Sequence, residues 1–429
     1  MIKREQRRLL GVLQARLPEV GTRRVTDPRR AKSVRQPLGP ILDTILVGMV
    51  AGVRSLAELE RFTELLGPGA RAALGLRGRL PDTTVGNVLV DLEPEEIIPG
   101  LHRLIRSAHH RKAITHEHLP PGIVSMDGKC VTLPAWDERY AQRQTHSNGG
   151  RAHGALRTVT SCLLSSSASP CIDVFPVPAN TNEMRAFRAA LDHLLAAYAS
   201  LDMVRTVLYD AGACSKDNAD YTREKNVHYR FVLFEGQPTL LAEARRHHAA
   251  CSKPEADDVT EEVRAGGLWR RSVYVETIED GWMDWDHLRT CVRFVSERLD
   301  KDGNVTSTDE RYYISSLPAD RFLASRWNLL LRRRWAVENE CHHTFDTVFA
   351  EDDRRWIETD PVGALVIVIL RRIAYSMLAF YRALTLRSEE RRYPSWKDLL
   401  TRIFVALMAA TTDVVLGLRP RRVTAAPTP

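Results

Sequence analysis

The spacing of apolar residues divides the chain into a helical stretch, a strand-like stretch and a second helical stretch. Residues 1–36 carry many arginines and no sustained helical period after about Leu17, which predicts a basic arm. Pro37-Leu38-Gly39-Pro40 is a breaker cluster that ends it. Apolar residues at 41–53 open a helical region. Ser55, with Glu58 three positions on, is a capping box for the next helix. Asp82-Thr83-Thr84 can cap another that runs to Val90, and a cluster of acids from Asp91 to Glu96 leads into apolar 97–105. At Pro120-Pro121 the period shortens to two. Strands are predicted over 123–133, 156–165, 172–177, 203–210 and 228–234, with helices over 182–198 and 216–225. Residues 270–278, 290–299 and 306–317 are again strand-like, the last two joined by an Asp302-Gly303-Asn304 turn. Helical spacing returns over 319–350, 361–384 and 396–416, ahead of a Pro- and Ala-rich tail from Arg419. Strands alternating with helices in the middle of the chain predict a mixed α/β sheet with helices packed on it.

Composition narrows this picture. Of the 429 residues 44% are hydrophobic, so a sizeable core can be buried in more than one domain. The net charge of +7 suits a polyanionic partner. The seven cysteines are odd in number and form no CxxC pair, which argues against a disulfide framework or a zinc ribbon and for buried thiols in a reducing compartment. The charged first residues lack a signal peptide's apolar segment, and the apolar runs at 41–53 and 362–370 are too short to cross a bilayer. A cytoplasmic protein with no membrane partner is expected. There is no GxxxxGK[ST] loop to support ATP-driven chemistry.

Three acids stand where chemistry could use them. Asp127 interrupts an apolar strand, where a charge is costly without a partner, and Gly128 beside it admits close approach of a ligand; a strand end followed by an Asp-Gly turn is the alternative. Asp210 ends a strand, as crevice-lining acids do in α/β sheets, but it could equally cap the helix beginning near Ser215. Glu338 shares a helix face with Arg334 and His342; an ordinary surface ion pair is the other reading. Carboxylates of this kind bind the magnesium ions that assist phosphodiester cleavage. The adjacent pairs His342-His343 and His247-His248 point in different directions on a helix and do not share one ion easily.

Taken in order, four stretches resemble the DDE transposases of bacterial insertion sequences, in the branch of the H-repeat-associated proteins, over roughly 37–384. They are Ser125-Met126-Asp127-Gly128-Lys129; Asn180-Thr181-Asn182-Glu183 followed by Asp210-Ala211; 311–317; and 334–339 with His342, Asp346, Phe349, Glu351-Asp352 and 370–374. The resemblance implies an RNase H-like mixed sheet flanked by helices, with an N-terminal helical domain and a β-rich insertion before the last catalytic helix. In that scheme 1–36 is the basic arm and 37–120 a helical domain able to bind DNA. Residues 121–240 form the first part of the catalytic core, 241–317 the insertion, 318–385 the rest of the core, and 386–429 a last helix and tail. The implied catalytic and metal-binding residues are Asp127, Asp210 and Glu338, with two Mg²⁺ or Mn²⁺ ions. Lys129, Arg334, Arg371 and Arg372 are implied DNA contacts. The implied partners are transposon ends and target DNA, bound by a homodimer or a larger assembly in the bacterial cytoplasm at the nucleoid. The chain departs from the family at Cys130-Val131-Thr132 (commonly Arg-Gly-Ser), at Ala213 (often His), at 234–237 (often Lys-Gly-Asn-Gln) and at Leu331 (Tyr in the signature of related transposases). These leave two rivals, an inactive DNA-binding relic and an RNase H-like nuclease that does not transpose.

Overall fold

Caps and turns written in the sequence set the element boundaries. The computed structural model describes residues 2–116, 118–145, 150–251, 253–264, 267–279, 281–333, 337–385 and 394–410. In chain order these form α1 (Ile2–Val20), α2 (Leu38–Val50), α3 (Leu56–Leu65), α4 (Pro68–Leu74), α5 (Asp82–Val90), α6 (Pro94–His110), β1 (Ile123–Leu133), β2 (Ala141–Gln144), β3 (His153–Leu163), β4 (Cys171–Pro176) and α7 (Phe187–Tyr198). Then come β5 (Thr206–Leu208), α8 (Lys216–Glu224), β6 (His228–Leu233), α9 (Pro238–Cys251), β7 (Asp258–Arg264), β8 (Gly267–Thr277), β9 (Thr290–Leu299), β10 (Val305–Ser315), α10 (Ala324–Arg333), α11 (His343–Thr347), α12 (Pro361–Phe380) and α13 (Trp396–Met408). Ser55 caps α3 by accepting the Glu58 N–H at 3.1 Å, and Glu58 reaches back to the Arg54 N–H at 2.8 Å. Asp82 does not cap α5 but begins it, with its own N–H taken by Glu60 Oε2 at 3.1 Å. Asp300 Oδ1 accepts the Asp302 and Asn304 N–H groups at 2.9 and 2.8 Å, which closes the turn between β9 and β10.

The chain forms two compact units, each assembled from separated segments. The first comprises 1–113, 131–156 and 343–429, and the second 114–130 and 157–342.

The second unit is built on a mixed sheet in the order β4-β3-β1-β5-β6-β10-β9-β8-β7. The strands β1, β5 and β6 run parallel, and from β6 through β10, β9, β8 and β7 every pairing is antiparallel. All three residues of β5 are buried, as expected of a central parallel strand covered on both faces. The Phe187 ring of α7 meets Tyr209 edge-on at 5.0 Å and Phe231 of β6 at 6.0 Å, which packs this helix on the sheet. The helix predicted from residue 182 starts at Phe187 instead, because the Asn182 side chain accepts the Arg185 N–H at 3.0 Å and holds 182–186 as a turn. The helix predicted over 319–350 is interrupted. It yields α10, a π-helical turn over Val337–His342, and α11 in the first unit.

The first unit is helical. All twenty residues of α12 are buried, and the helix packs against α2, α5 and α6, while α13 lies on α1. Asp360 caps α12 by accepting the Gly363 N–H at 2.8 Å. The segment Pro361–Ala383 is long and apolar enough to cross a membrane, in contrast to the short run read from the sequence, yet its apolar window is wholly buried within the fold, as in a core helix. The apolar run continues past Arg371 and Arg372 because Glu351 takes up their charge in the core.

Candidate active site

Parallel pairing brings two of the predicted acids level. Ile123, Val124 and Ser125 of β1 pair with Thr206, Val207 and Leu208 of β5, and the same offset carried two residues further sets Asp127 beside Asp210. Both strands point their carboxyl ends the same way, and β1 changes there from fully buried to half-buried. Asp127 keeps only 15% of its side-chain exposure. Asp210 accepts the Gly212 N–H at 2.9 Å, and the cap of α8 is taken instead by Ser215, which accepts the Asn218 N–H at 3.2 Å. Asp210 is therefore not spent on the helix cap that the sequence also allowed.

Tyr209 is the buried residue between these strand ends. Burial raises its phenol well above the usual range, and the charges of Asp210, Asp127 and Glu183 push in the same direction. Its hydroxyl donates to the Glu183 carbonyl at 3.1 Å. Three carboxylates thus gather around one ring. The third, Glu183, reaches the group because Gly128 has no side chain: a Cβ there would lie 2.7 Å from Glu183 Cγ. Arg157 Nε stands 3.5 Å from Glu183 Oε1 and balances part of the negative charge.

His342 closes the group from the π-helical turn, with Nδ1 3.3 Å from Asp127 Oδ2. Glu338 lies four residues earlier in that turn, about one π-helical turn away, and is exposed. The turn is held from beneath by buried Cys341, whose thiol is 3.4 Å from that of Cys162 on β3. This cluster, with its half-buried carboxylates, neighbouring glycines and one imidazole, has the hard donor set that Mg²⁺ or Mn²⁺ takes.

The predicted DNA contacts fare differently. Lys129 is buried on β1, two positions from Asp127 and so on the same strand face. Arg334 lies outside the described residues. Arg371 and Arg372 are buried in α12, with Arg371 3.6 Å from Glu351, Arg372 paired to the same carboxylate, and the Arg372 guanidinium 4.2 Å from the Phe345 ring centre. Enclosed in a core and neutralised there, neither reaches a phosphate, which corrects that expectation. Two residues of the cluster carried no catalytic role in the sequence reading. Glu183 was only part of an Asn-Glu resemblance, and His342 only shared a helix face with Glu338. The available signal was Gly128, which marks a strand position open to close approach.

Elsewhere in this unit His247, Cys251 and Glu276 bring ligand atoms within 4.8 Å of one another, but Lys253 Nζ occupies Glu276 at 3.0 Å. His248 turns the other way, onto the Tyr312 ring at 5.6 Å.

Residues 118–376 match the family described as Transposase DDE domain. The chain belongs to that family. Within it the chain falls in the H-repeat-associated branch: it is 21% identical over 342 residues to the H repeat-associated protein YhhI of Escherichia coli (strain K12), covering 77% of this chain and 82% of the relative. The protein YbfL of the same organism is 22% identical over 342 residues, with the same coverage of 77% and 82%. A cryo-EM structure of the piggyBac transposase synaptic complex with hairpin DNA is also similar, at a TM-score of 0.43 and 11% identity over 97% of this chain and 80% of that one.

Proposed function

We propose that the chain is a DNA transposase that cuts phosphodiester bonds at transposon ends and joins the freed ends to target DNA. The observation that carries this is the strand register that brings Asp127 level with Asp210 around Tyr209, in a chain of the transposase DDE family. The mixed sheet is read as an RNase H-like core, with 121–240 as its first part, the β-rich 241–317 inserted, and 318–385 completing it behind Glu338. The arm 1–36, the helical 37–120 and the terminal 386–429 flank it.

Asp127, Asp210 and Glu338 would hold two divalent ions, Mg²⁺ or Mn²⁺, which when bound neutralise the charge that builds up on the phosphorus and lower the pKa of an attacking water or hydroxyl. The protein's own groups supply the positioning. His342 fixes the Asp127 carboxylate, and Arg157 steadies Glu183. Gly128 and Gly212 leave backbone room beside the acids. Hydrolysis at the end breaks one P–O bond and leaves a 3′ hydroxyl. That hydroxyl then attacks a phosphorus of the target, forming one P–O bond as another breaks. Pairing two ends calls for a homodimer or a larger assembly, acting in the bacterial cytoplasm at the nucleoid.

Ala213 and Leu331, where relatives of this kind often carry His and Tyr, favour an inactive DNA-binding relic as the second reading. A cleavage assay on DNA bearing the element's own ends, with and without Mg²⁺, decides between them. Metal-dependent nicking at the ends is expected, and Asp127→Asn, Asp210→Asn and Glu338→Gln should each abolish it while end binding persists. Binding without cutting in the unaltered protein identifies the relic. Cutting that ignores the ends identifies a nuclease that does not transpose.

A further inference from the structure

A basic cleft lies in the helical unit, away from every acid discussed above in sequence. It has a volume of about 490 Å³ and is lined by Arg24, Arg103, Arg106, His110 and Arg111, with Glu19 as its one carboxylate. Arg103, Arg106 and His110 recur at the three-to-four spacing that keeps side chains on one face of α6. Arg24 joins them from the short helical turn Thr22–Arg24.

The cleft is built rather than incidental. Arg103 Nε donates to the Val20 carbonyl at 2.9 Å and Nη2 to the Gly21 carbonyl at 3.3 Å, which fixes its guanidinium without neutralising it. Gly21 makes this possible. Its backbone is left-handed at φ 69°, and a Cβ there would stand 2.8 Å from Arg103 Nε. Glu19, the single acid, is already taken by Arg16 and Arg111. Burial lowers the pKa of Arg103, and the like charges of Arg24 and Arg106 lower it further, so the three guanidinium groups lie within reach of one another's repulsion. Cations at the carboxyl end of a helix also complement its dipole, which accounts for His110 and Arg111 but not for Arg24 or for Arg103 and Arg106 further back. Converging guanidinium groups with little acid among them match the planar, bidentate recognition of phosphate.

We propose that this cleft is a second DNA contact of the chain, which seats backbone phosphates of a duplex and reads no bases. The inference rests on the reading that the protein acts on DNA, and it assigns positioning of that DNA to the helical unit as well as to the acids. Phosphate contacts fix where a duplex lies without specifying sequence, and each contact adds about 0.9 to the slope of log affinity against log salt.

The experiment measures affinity of the full chain for two duplexes, one bearing the element's end and one of random sequence, by fluorescence anisotropy from ~50 to ~200 mM salt. Arg103 is left in place because it holds the turn at Val20 and Gly21. The R24Q/R106Q variant should show a slope shallower by about 2 on both duplexes, so that its affinity falls about tenfold less across that range. The charge-keeping R24K/R106K variant should retain most of the slope, which separates lost charge from lost folding. An unchanged slope in R24Q/R106Q, or an equal loss in both variants, overturns the cleft as a phosphate site, even where end cleavage is observed. A slope that falls as stated, in a protein that never cuts, supports the cleft and overturns the transposase reading. No binding of either duplex by the unaltered chain overturns the proposal.

Discussion

A single contact links the π-helical turn to the sheet: His342 Nδ1 against Asp127 Oδ2 at 3.3 Å. His342 is a positioning residue in this reading, since it restrains a carboxylate rather than meeting DNA. Groups that orient metal ligands typically account for about 10–100-fold in metal affinity when removed. His342→Ala should therefore raise the Mg²⁺ concentration needed for half-maximal cleavage by about that factor, with activity largely recovered at high metal. A loss of activity that added metal does not restore, accompanied by a lower melting temperature, would show that His342 only supports the fold. Asp127 and Asp210 stood out in the sequence because acids at the ends of apolar strands have few structural uses. Glu183 did not, because an acid in a turn belongs to no period. Its approach depends on the missing side chain of Gly128, a contact that no local pattern encodes.

At the level of elements, agreement with the sequence follows burial. The strand β9 has the predicted ends, since its side chains alternate between buried and half-exposed over most of its length. The edge strand β7 escaped prediction because charge holds it in place: Arg270 and Arg271 of β8 pair with Glu261 and Glu262 across the ladder, while Val259 and Val263 are exposed. The helix α12 shows the opposite. Its apolar residues announce it, but two arginines in its middle read as surface charge. Their burial depends on Glu351, which is itself fully buried. Removing one partner of a buried ion pair costs about 3–5 kcal/mol because the other charge stays uncompensated. Glu351→Gln should cost that much in urea unfolding, with the denaturant slope unchanged. A loss below about 1 kcal/mol would mean that Arg371 and Arg372 find other partners, and that Glu351 does not hold them.

Across the whole molecule the chain path matters more than any element. The helical unit takes its segments from both ends of the sequence, 1–113 and 343–429, with 131–156 between them. Hydrophobic periodicity is a local signal, so it reports that residues 361–380 form a helix and says nothing of which distant helices will cover them. The cover is complete on α12, whose side chains include Leu365, Val366, Ile367, Ile369, Leu370 and Ile373, each at most 1% exposed. Burying one such side chain is worth about 1.5–3 kcal/mol, so losing the helix removes more than the ~5–15 kcal/mol that holds a typical domain together. A chain ending at residue 342 should therefore keep the strands of the sheet unit but lose the packed state of α2 and α6, although both helices remain in its sequence. Amide hydrogen exchange should show fast exchange in α2 and α6 of that truncated chain, slow exchange in β5 and β6, and recovery of α2 and α6 when residues 343–429 are added as a separate peptide. Retained protection of α2 and α6 in the truncated chain would show that the amino-terminal helices form a core of their own, and that the return of the chain through α12 adds to a fold already complete.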